Sequence, residues 1–167
     1  MTTRNYIPKK DNKAILRILK EVGWMEDSKE EEKAFTSFFS GNYIKVAEVK
    51  GAPECAVFTA PGSMYHSGTA LSLCGVTGVI TSRLIRRQGY AKKTLAEALS
   101  EAGANGTAAA SLGIFDQGFY EKLGFGTGNY EKWHTFSPAA LQVPVRNNAI
   151  PVRLTAKDAK EVHTNRL

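Results

Sequence analysis

Residues Thr69 to Leu99 read TALSLCGVTGVITSRLIRRQGYAKKTLAEAL: a β-rich run broken by Gly75 and Gly78, a basic loop around Gly89, and a helical repeat of apolar residues. A glycine inside a strand marks a bulge or a close backbone approach by something else. Arg83, Arg86, Arg87, Lys92 and Lys93 place five positive charges about Gly89, directly ahead of the face Ala91, Leu95, Ala98 and Leu99. The first turn of a helix leaves backbone N–H groups unpaired and carries about half a positive charge, which suits it to phosphate when the backbone can be approached. Gly89 allows that approach and Ala91 keeps the helix start uncrowded. The amides from about Arg87 to Lys92 can then wrap a pyrophosphate, and Arg86 or Arg87 adds contacts of roughly 1.5–3 kcal/mol each.

Two other phosphate loops fail on spacing. A P-loop needs glycine immediately before its Lys-Thr pair, and here Lys92 precedes Lys93-Thr94. In GFGTGN the third glycine of a dinucleotide fingerprint comes one residue early, and the segment follows a helix rather than opening one.

Upstream, Ala14, Ile15, Ile18, Leu19 and Val22 recur at helical spacing and end at Gly23. Ser28 with Glu31 forms an N-terminal signature for a second helix carrying Ala34, Phe35, Phe38 and Phe39. YIKVAEVKG and APECAVFTAPG read as a hairpin turning at Gly51-Ala52-Pro53, and Pro61 to Gly68 as a longer loop. Downstream come a short strand in TAAASLGIF, a short helix in DQGFYEKLGF and a closing strand in NYEKWHTF. The order α, α, β, β, β, α, β, α, β predicts a mixed sheet covered by helices. From Pro144 the chain changes character: a loop, a strand-like IPVRLT and a helix start in TAKDAKEVH.

The chain has 167 residues, 43% hydrophobic and 23% charged, enough for one domain with a real core. No window holds the eighteen or so apolar residues of a membrane span, and MTTRNYIPKKDNK lacks the apolar centre of a secretory signal, so the expectation is a cytoplasmic protein without membrane contact. Cys55 and Cys74 sit in apolar strands as small core residues, and His66, His134 and His163 have no ligand spacing, so no metal is expected. The net charge of +6 favours an anionic partner. A nucleic-acid binder using Arg83 to Lys93 is compatible with that charge, but no helix-turn-helix, zinc spacing or RNA-binding aromatic motif accompanies it, so nucleic acid is not expected as a partner.

GVTGVITSRLIRRQGYA followed by a helix resembles the acetyl-coenzyme-A motif of the GCN5-related N-acetyltransferases (GNAT), a bulged strand and then Arg/Gln-x-x-Gly-x-Gly/Ala, met by Arg86, Gly89 and Ala91. FDQGFYEKLGFGTGNYEKW resembles the family's later motif, in which tyrosine precedes Lys-Leu-Gly-Phe. Within the family, FYEKLGFG is similar to the enhanced intracellular survival type. That resemblance implies an α/β fold whose central sheet is mixed and largely antiparallel, with a splayed parallel strand pair and flanking helices. It implies an acetyltransferase domain over 1–143. Residues 144–167 then form a linker and the opening of a second, truncated acetyltransferase-like domain, as in a fragment or a shorter relative.

The activity implied is transfer of an acetyl group from acetyl coenzyme A, a cosubstrate, to a primary amine by direct attack. The Val79-Ile80-Thr81 backbone would pair with the pantetheine arm, Gly78 supplying the bulge, and one amide would meet the thioester carbonyl, worth about 2.7–4 kcal/mol in the transition state. Arg86, Arg87, Gln88, Gly89, Tyr90, Ala91 and Lys92 would hold the pyrophosphate. Tyr120 would be the general acid beside the sulfur, although Phe119, Leu123 and Phe125 around it also fit a core aromatic. Glu26, Asp27, Glu48 and Asp116 stand as candidates for a base; the resemblance implies that the larger relatives use the terminal carboxylate of a further domain, which this sequence lacks. Two positions depart from the family: Arg83 replaces a frequent proline, and Phe115 makes an apolar wall where a small polar residue is common. Trp24 and Met25 lie where the family builds its acceptor pocket, and fit core residues equally well. The acidic run Asp27 to Glu32 fits either a cationic acceptor, such as an aminoglycoside or polyamine, or a solvated helix face. A non-catalytic acyl-coenzyme-A-binding or regulatory module is the alternative function, and homo-oligomers are compatible with both.

Overall fold

Apolar residues at helical spacing in the first forty positions bury one face of a sheet, and those after Tyr90 bury the other. The computed structural model describes residues 2–113, 117–128, 132–140, 142 and 152–165. It divides into two compact units, Met1–Gly128 and Asn129–Leu167.

The first unit contains five strands, β1 (Thr2–Asn5), β2 (Tyr43–Val49), β3 (Ala52–His66), β4 (Thr69–Thr81) and β5 (Ala109–Leu112), adjacent in that order. All neighbours are antiparallel except β4 and β5, which run parallel. The mixed, largely antiparallel sheet expected from the sequence is therefore present. Helices α1 (Pro8–Glu21) and α2 (Lys29–Ser40) belong to one face, where Ile15, Ile18, Leu19 and Phe39 meet Ile44, Val46, Phe58 and Ile80. On the other face, α3 (Tyr90–Ala104) and the short α4 (Gln117–Glu121) bring Leu95, Ala98 and Tyr120 onto Val57 and Val76.

Local chemistry accounts for the element ends. Pro8 opens α1 because its fixed φ suits the first turn and its missing N–H is one that no helix uses there. The Asp11 carboxylate accepts from the Ile7 amide at 2.7 Å. Ser28 caps α2, its hydroxyl accepting from the Glu31 amide at 3.1 Å, as the spacing predicts.

Several expectations need correction. β1 has no signal in the sequence: its residues, TTRN, show no apolar alternation, and pairing with Lys45 to Glu48 makes it a strand. The hairpin turns at Lys50-Gly51, with φ of 50° and 84°, one step before the expected position, as a two-residue connection with both φ positive. Pro61 to His66 are strand rather than loop, and the chain reverses at Ser67-Gly68, φ 48° and 78°. Pro61 is tolerated because β2 ends opposite Thr59, and alternation along β3 turns the missing N–H toward this open edge.

In the second unit, Lys132 to Ser137 form no strand where a closing strand was expected; residues 129–131 of that segment lie outside the described residues. Val152 to Thr155 are likewise irregular, whereas the predicted helix start is present as a 3₁₀ turn, Ala156–Asp158, leading into α5 (Ala159–Thr164). Thr155 and Asp158 form a reciprocal capping box there. No described helix is long and apolar enough to cross a membrane.

Candidate functional site

The gap in the sheet originates in one inserted residue. Phe58 pairs with Gly78 and Thr59 with Val76, so Thr77 is the extra residue of a bulge in β4, immediately before the glycine expected to create it. The insertion resets the alternation, and Val76 and Val79 consequently pack with the same cluster on the α3 face. β5 pairs with Leu73 to Val76 and no further. Beyond the bulge, the β4 edge away from β3 has no partner strand among the described residues.

Alternation fixes which amides face that edge. The Ser82 amide donates to the Glu54 carbonyl at 2.8 Å, so Ile80 and Gly78 turn their N–H groups toward β3, while Val79 and Thr81 turn theirs outward. Arg86 confirms the orientation, its Nε donating to the outward Thr81 carbonyl at 3.4 Å. Of the three residues expected to pair with a ligand backbone, two present amides to the gap and Ile80 presents an apolar side chain to the opposite core.

β4 runs into a 3₁₀ turn, Arg83–Ile85, and then the basic loop. Ile85 is buried against Ala47 and Cys55 and pins the loop to the sheet, with Tyr90 and Ala91 packed on the same cluster. The Arg83 amide is taken by the Glu21 carboxylate. From Arg87 to Lys92 no backbone N–H makes a hydrogen bond of good geometry to a described residue, and the first bond of α3 is from Lys93 to the Gly89 carbonyl at 3.0 Å. Arg87 and Gly89 have φ of 61° and 82°. A non-glycine residue held left-handed costs about 1–3 kcal/mol and tends to mark a functional turn. Side chains of Arg86, Arg87 and Gln88 are exposed, that of Gln88 folding back to the Leu84 carbonyl at 3.1 Å. The loop is thus an exposed, positively charged turn at a helix start, continuous along the chain with the open edge of β4.

Tyr120 lies on the α3 side, 9% exposed, in the cluster with Val57, Val76, Leu95 and Ala98. Its ring meets Phe119 and Phe125 edge-on, with centroids 5.0 and 5.9 Å apart. It is a packed aromatic in the same cluster as Val76, where the β4–β5 pairing ends. Phe115 and Asp116 lie outside the described residues.

On the other face, Trp24 and Met25 separate. Met25 is buried in the α1–α2 core, the second of its two readings from sequence, whereas Trp24 stays 41% exposed beside the bulge. A pocket of about 120 Å³ lies there, lined by Leu19, Phe35, Phe38 and Phe58 together with Trp24, Thr77 and Gly78. The sequence gives no signal for the meeting of Trp24 with Gly78, which are 54 positions apart.

Two of the four candidate carboxylates, Asp27 and Glu48, are engaged. Lys20 pairs with Asp27 at 2.5 Å and Glu32 at 2.8 Å, and its ammonium holds the Asp27 carboxyl below its ordinary range. Glu31 caps inward, accepting from the Glu26 amide at 2.6 Å. Glu48 is bound by Arg4 at 2.6 Å and Lys10 at 2.7 Å, which lower its titration. Both cysteines are buried free thiols, and burial pushes each above the usual thiol range.

A larger cavity, about 900 Å³, is lined by the C-terminal part of α3 from Ala98 onward, beginning about 14 Å along the helix from Gly89 at 1.5 Å per residue. Its lining includes the Lys45–Glu101 ion pair (2.6 Å), with Tyr6, Asn42 and Asn105. A helix C-terminus and a carboxylate there are poor phosphate partners.

Solved structures share this architecture. An acetyltransferase from Trypanosoma brucei superposes with a TM-score of 0.63 at 17% identity, over 81% of this chain and 99% of its own. Glucosamine-6-phosphate N-acetyltransferase from Arabidopsis thaliana gives 0.64 at 15%, over 81% and 98%. A conserved protein of unknown function from Enterococcus faecalis V583 gives 0.66 at 16%, over 72% of this chain but only 31% of its own. No curated protein sequence matches significantly. A family model described as an acetyltransferase (GNAT) domain matches residues 4–128, ending where the first unit ends. With its bulged β4, parallel β5 and basic loop at the start of α3, the chain belongs to the GNAT acetyltransferase family.

Proposed function

We propose that the chain transfers an acetyl group from acetyl coenzyme A to a primary amine by direct attack. The observation that carries this reading is the continuity between the outward amides of Val79 and Thr81 and the unpaired amides of 87–92. A pantetheine arm needs an edge with which to form strand-like hydrogen bonds, and a pyrophosphate needs convergent N–H groups beside positive charge; the residues present fit both requirements. Arg86 and Arg87 add charge at the loop, and Gly89 leaves open space where a side chain would stand. On this reading acetyl coenzyme A is consumed as a cosubstrate.

The chain's residues divide the work of the reaction. An outward amide of β4, from Val79 or Thr81, stabilises charge developing on the thioester oxygen. The amine nitrogen gives its lone pair to the carbonyl carbon, the C–N bond forms, and the C–S bond breaks with its electron pair passing to sulfur. Tyr120 donates its hydroxyl proton to the departing sulfur and regains one from solvent; the proton released by the amine leaves to solvent. The test is thiol release across amines, measured alongside coenzyme affinity by calorimetry. Saturable, amine-dependent release supports the reading; coenzyme binding without release supports a non-catalytic acyl-coenzyme-A module, which the ion pairing of Asp27 and Glu48 favours.

The same reading places the protein in the cytoplasm with acetyl coenzyme A and an amine acceptor as partners, self-association compatible, and neither nucleic acid nor membrane involved. It takes residues 1–143 as the catalytic domain and 144–167 as a linker and the opening of a second acetyltransferase-like domain, as in the enhanced intracellular survival type. A longer chain of which the matched part makes up 31% is in keeping with a multidomain relative, while the compact units of this chain divide at Gly128–Asn129, ahead of the proposed boundary.

A further inference from the structure

Resting on the acyl-transfer reading above, we infer that the acceptor is a primary amine bearing a small apolar group, aromatic or branched aliphatic, rather than a polycation. The approximately 120 Å³ pocket lies against the β4 bulge on the α1–α2 face, opposite Tyr120. Its walls are Trp24, Phe35, Phe38, Phe39 and Phe58, and apart from the Trp24 indole N–H the one polar side-chain group of its lining is the Thr77 hydroxyl. That hydroxyl is already engaged, donating to Asn42 Oδ1 at 2.6 Å. A cavity of about 150 Å³ lined by aliphatic and aromatic side chains takes benzene, so this pocket suits one ring or a branched alkyl of similar or slightly smaller size.

Gly78 keeps the pocket open to the backbone. A Cβ there would stand 3.1 Å from Phe58 Cδ2 and 3.4 Å from Trp24 Cζ3, closing the space between them. A tail seated among the aromatic rings leaves its amino group at the sheet, one residue from the outward Val79 amide. The acidic run that suggests a cationic acceptor from sequence does not line this pocket: Asp27 and Glu32 are held by Lys20, and Glu31 by the Glu26 amide. Apolar walls also disfavour the ammonium form, because desolvation penalises charge. The pocket thereby selects the neutral, nucleophilic amine without a dedicated carboxylate.

The test compares kcat/KM for 2-phenylethylamine and isoamylamine with that for spermidine and kanamycin, using the full chain, with coenzyme A affinity measured separately. The expected result is at least a tenfold preference for the apolar pair. Equal or better use of spermidine or kanamycin overturns the inference, as does coenzyme binding with neither apolar amine accepted; both leave the coenzyme site standing. Failure to bind coenzyme A overturns the underlying reading as well. Placement is checked in a Trp133→Phe background, where Trp24 is the only tryptophan. Its fluorescence should respond saturably to 2-phenylethylamine and remain unchanged with spermidine; no response to 2-phenylethylamine overturns the placement. In Trp24→Ala, kcat/KM for 2-phenylethylamine should fall about tenfold with coenzyme affinity intact, and retention of the parent value contradicts the pocket assignment.

Discussion

Replacing Gly89 with alanine separates the conformational cost of the loop from its role as an anion cradle. Gly89 sits at φ 82°, ψ 1°, and a Cβ built there meets nothing within 4 Å, so alanine introduces no clash within the protein. The stability cost is that of a left-handed alanine, about 1–2 kcal/mol. For a unit of this size that lowers Tm by roughly 3–8 °C. The added methyl occupies the open space that the coenzyme reading assigns to the pyrophosphate. Losing two amide contacts to phosphate, each about 1.5–3 kcal/mol, weakens coenzyme A binding by at least about 100-fold. Gly106 is the matched control: its φ is 86° and a Cβ there also meets nothing, but it follows the opposite end of α3. Thermal melts and calorimetry should show Gly106→Ala and Gly89→Ala losing similar stability, with only Gly89→Ala losing coenzyme affinity. Parent-like affinity in Gly89→Ala, despite the shared fall in Tm, refutes the cradle.

Tyr120→Phe keeps the packed ring and removes the proposed proton donor; kcat should fall about 100-fold or more with coenzyme affinity intact, and single-turnover thiol release at the parent rate would exclude the role. Gly78→Ala pushes a methyl against Phe58 and Trp24 and should cost about 1–3 kcal/mol in a denaturant melt while selectively depressing use of apolar amines. Arg4→Ala strands the Asp11 carboxylate, which is fully buried and bound by Arg4 at 2.6 and 2.7 Å, and should cost about 3–5 kcal/mol at neutral pH. Burial alone raises the Asp11 carboxyl, but the Arg4 hydrogen bonds, the Ile7 amide and the nearby cations outweigh it and hold it below its ordinary value. The sign follows: stability from this pair is complete above the unfolded carboxylate pKa and drains as pH falls through the lowered folded value, a slope that should flatten in Arg4→Ala. Cys55 and Cys74, buried with titration raised chiefly by burial, should resist iodoacetamide in the folded chain at neutral pH and react once it is unfolded.

The parts of the fold legible in the sequence are those written in local chemistry. Ser28 with Glu31 marks α2, the apolar spacing from Ala14 to Val22 marks α1, and the parallel return from β4 through α3 to β5 follows from a strand, a basic loop and an amphipathic helix in succession. Features made by tertiary pairing are not so written. β1 is a strand because β2 offers it an edge, and Pro61 is admitted to β3 because β2 ends before reaching it. Gly78 announces an irregularity in β4, but that Thr77 is the inserted residue depends on register with β3. At the candidate site, Arg86 to Lys92 are contiguous and can be located by reading, and the structure brings them to the open edge of β4. The apolar pocket joins α1, α2, β3 and β4 across dozens of positions, so the acidic run in sequence draws attention to charge where the folded chain places aromatic rings.

The most direct measurement is a crystal structure of the chain with coenzyme A. The account predicts the pyrophosphate on the amides between Arg87 and Lys92, the pantetheine arm along the outward amides of Val79 and Thr81, and the sulfur near Tyr120. Coenzyme bound instead in the large cavity beside Lys45 and Glu101, or a β4 edge covered by the chain itself from Val79 to Thr81, would contradict it.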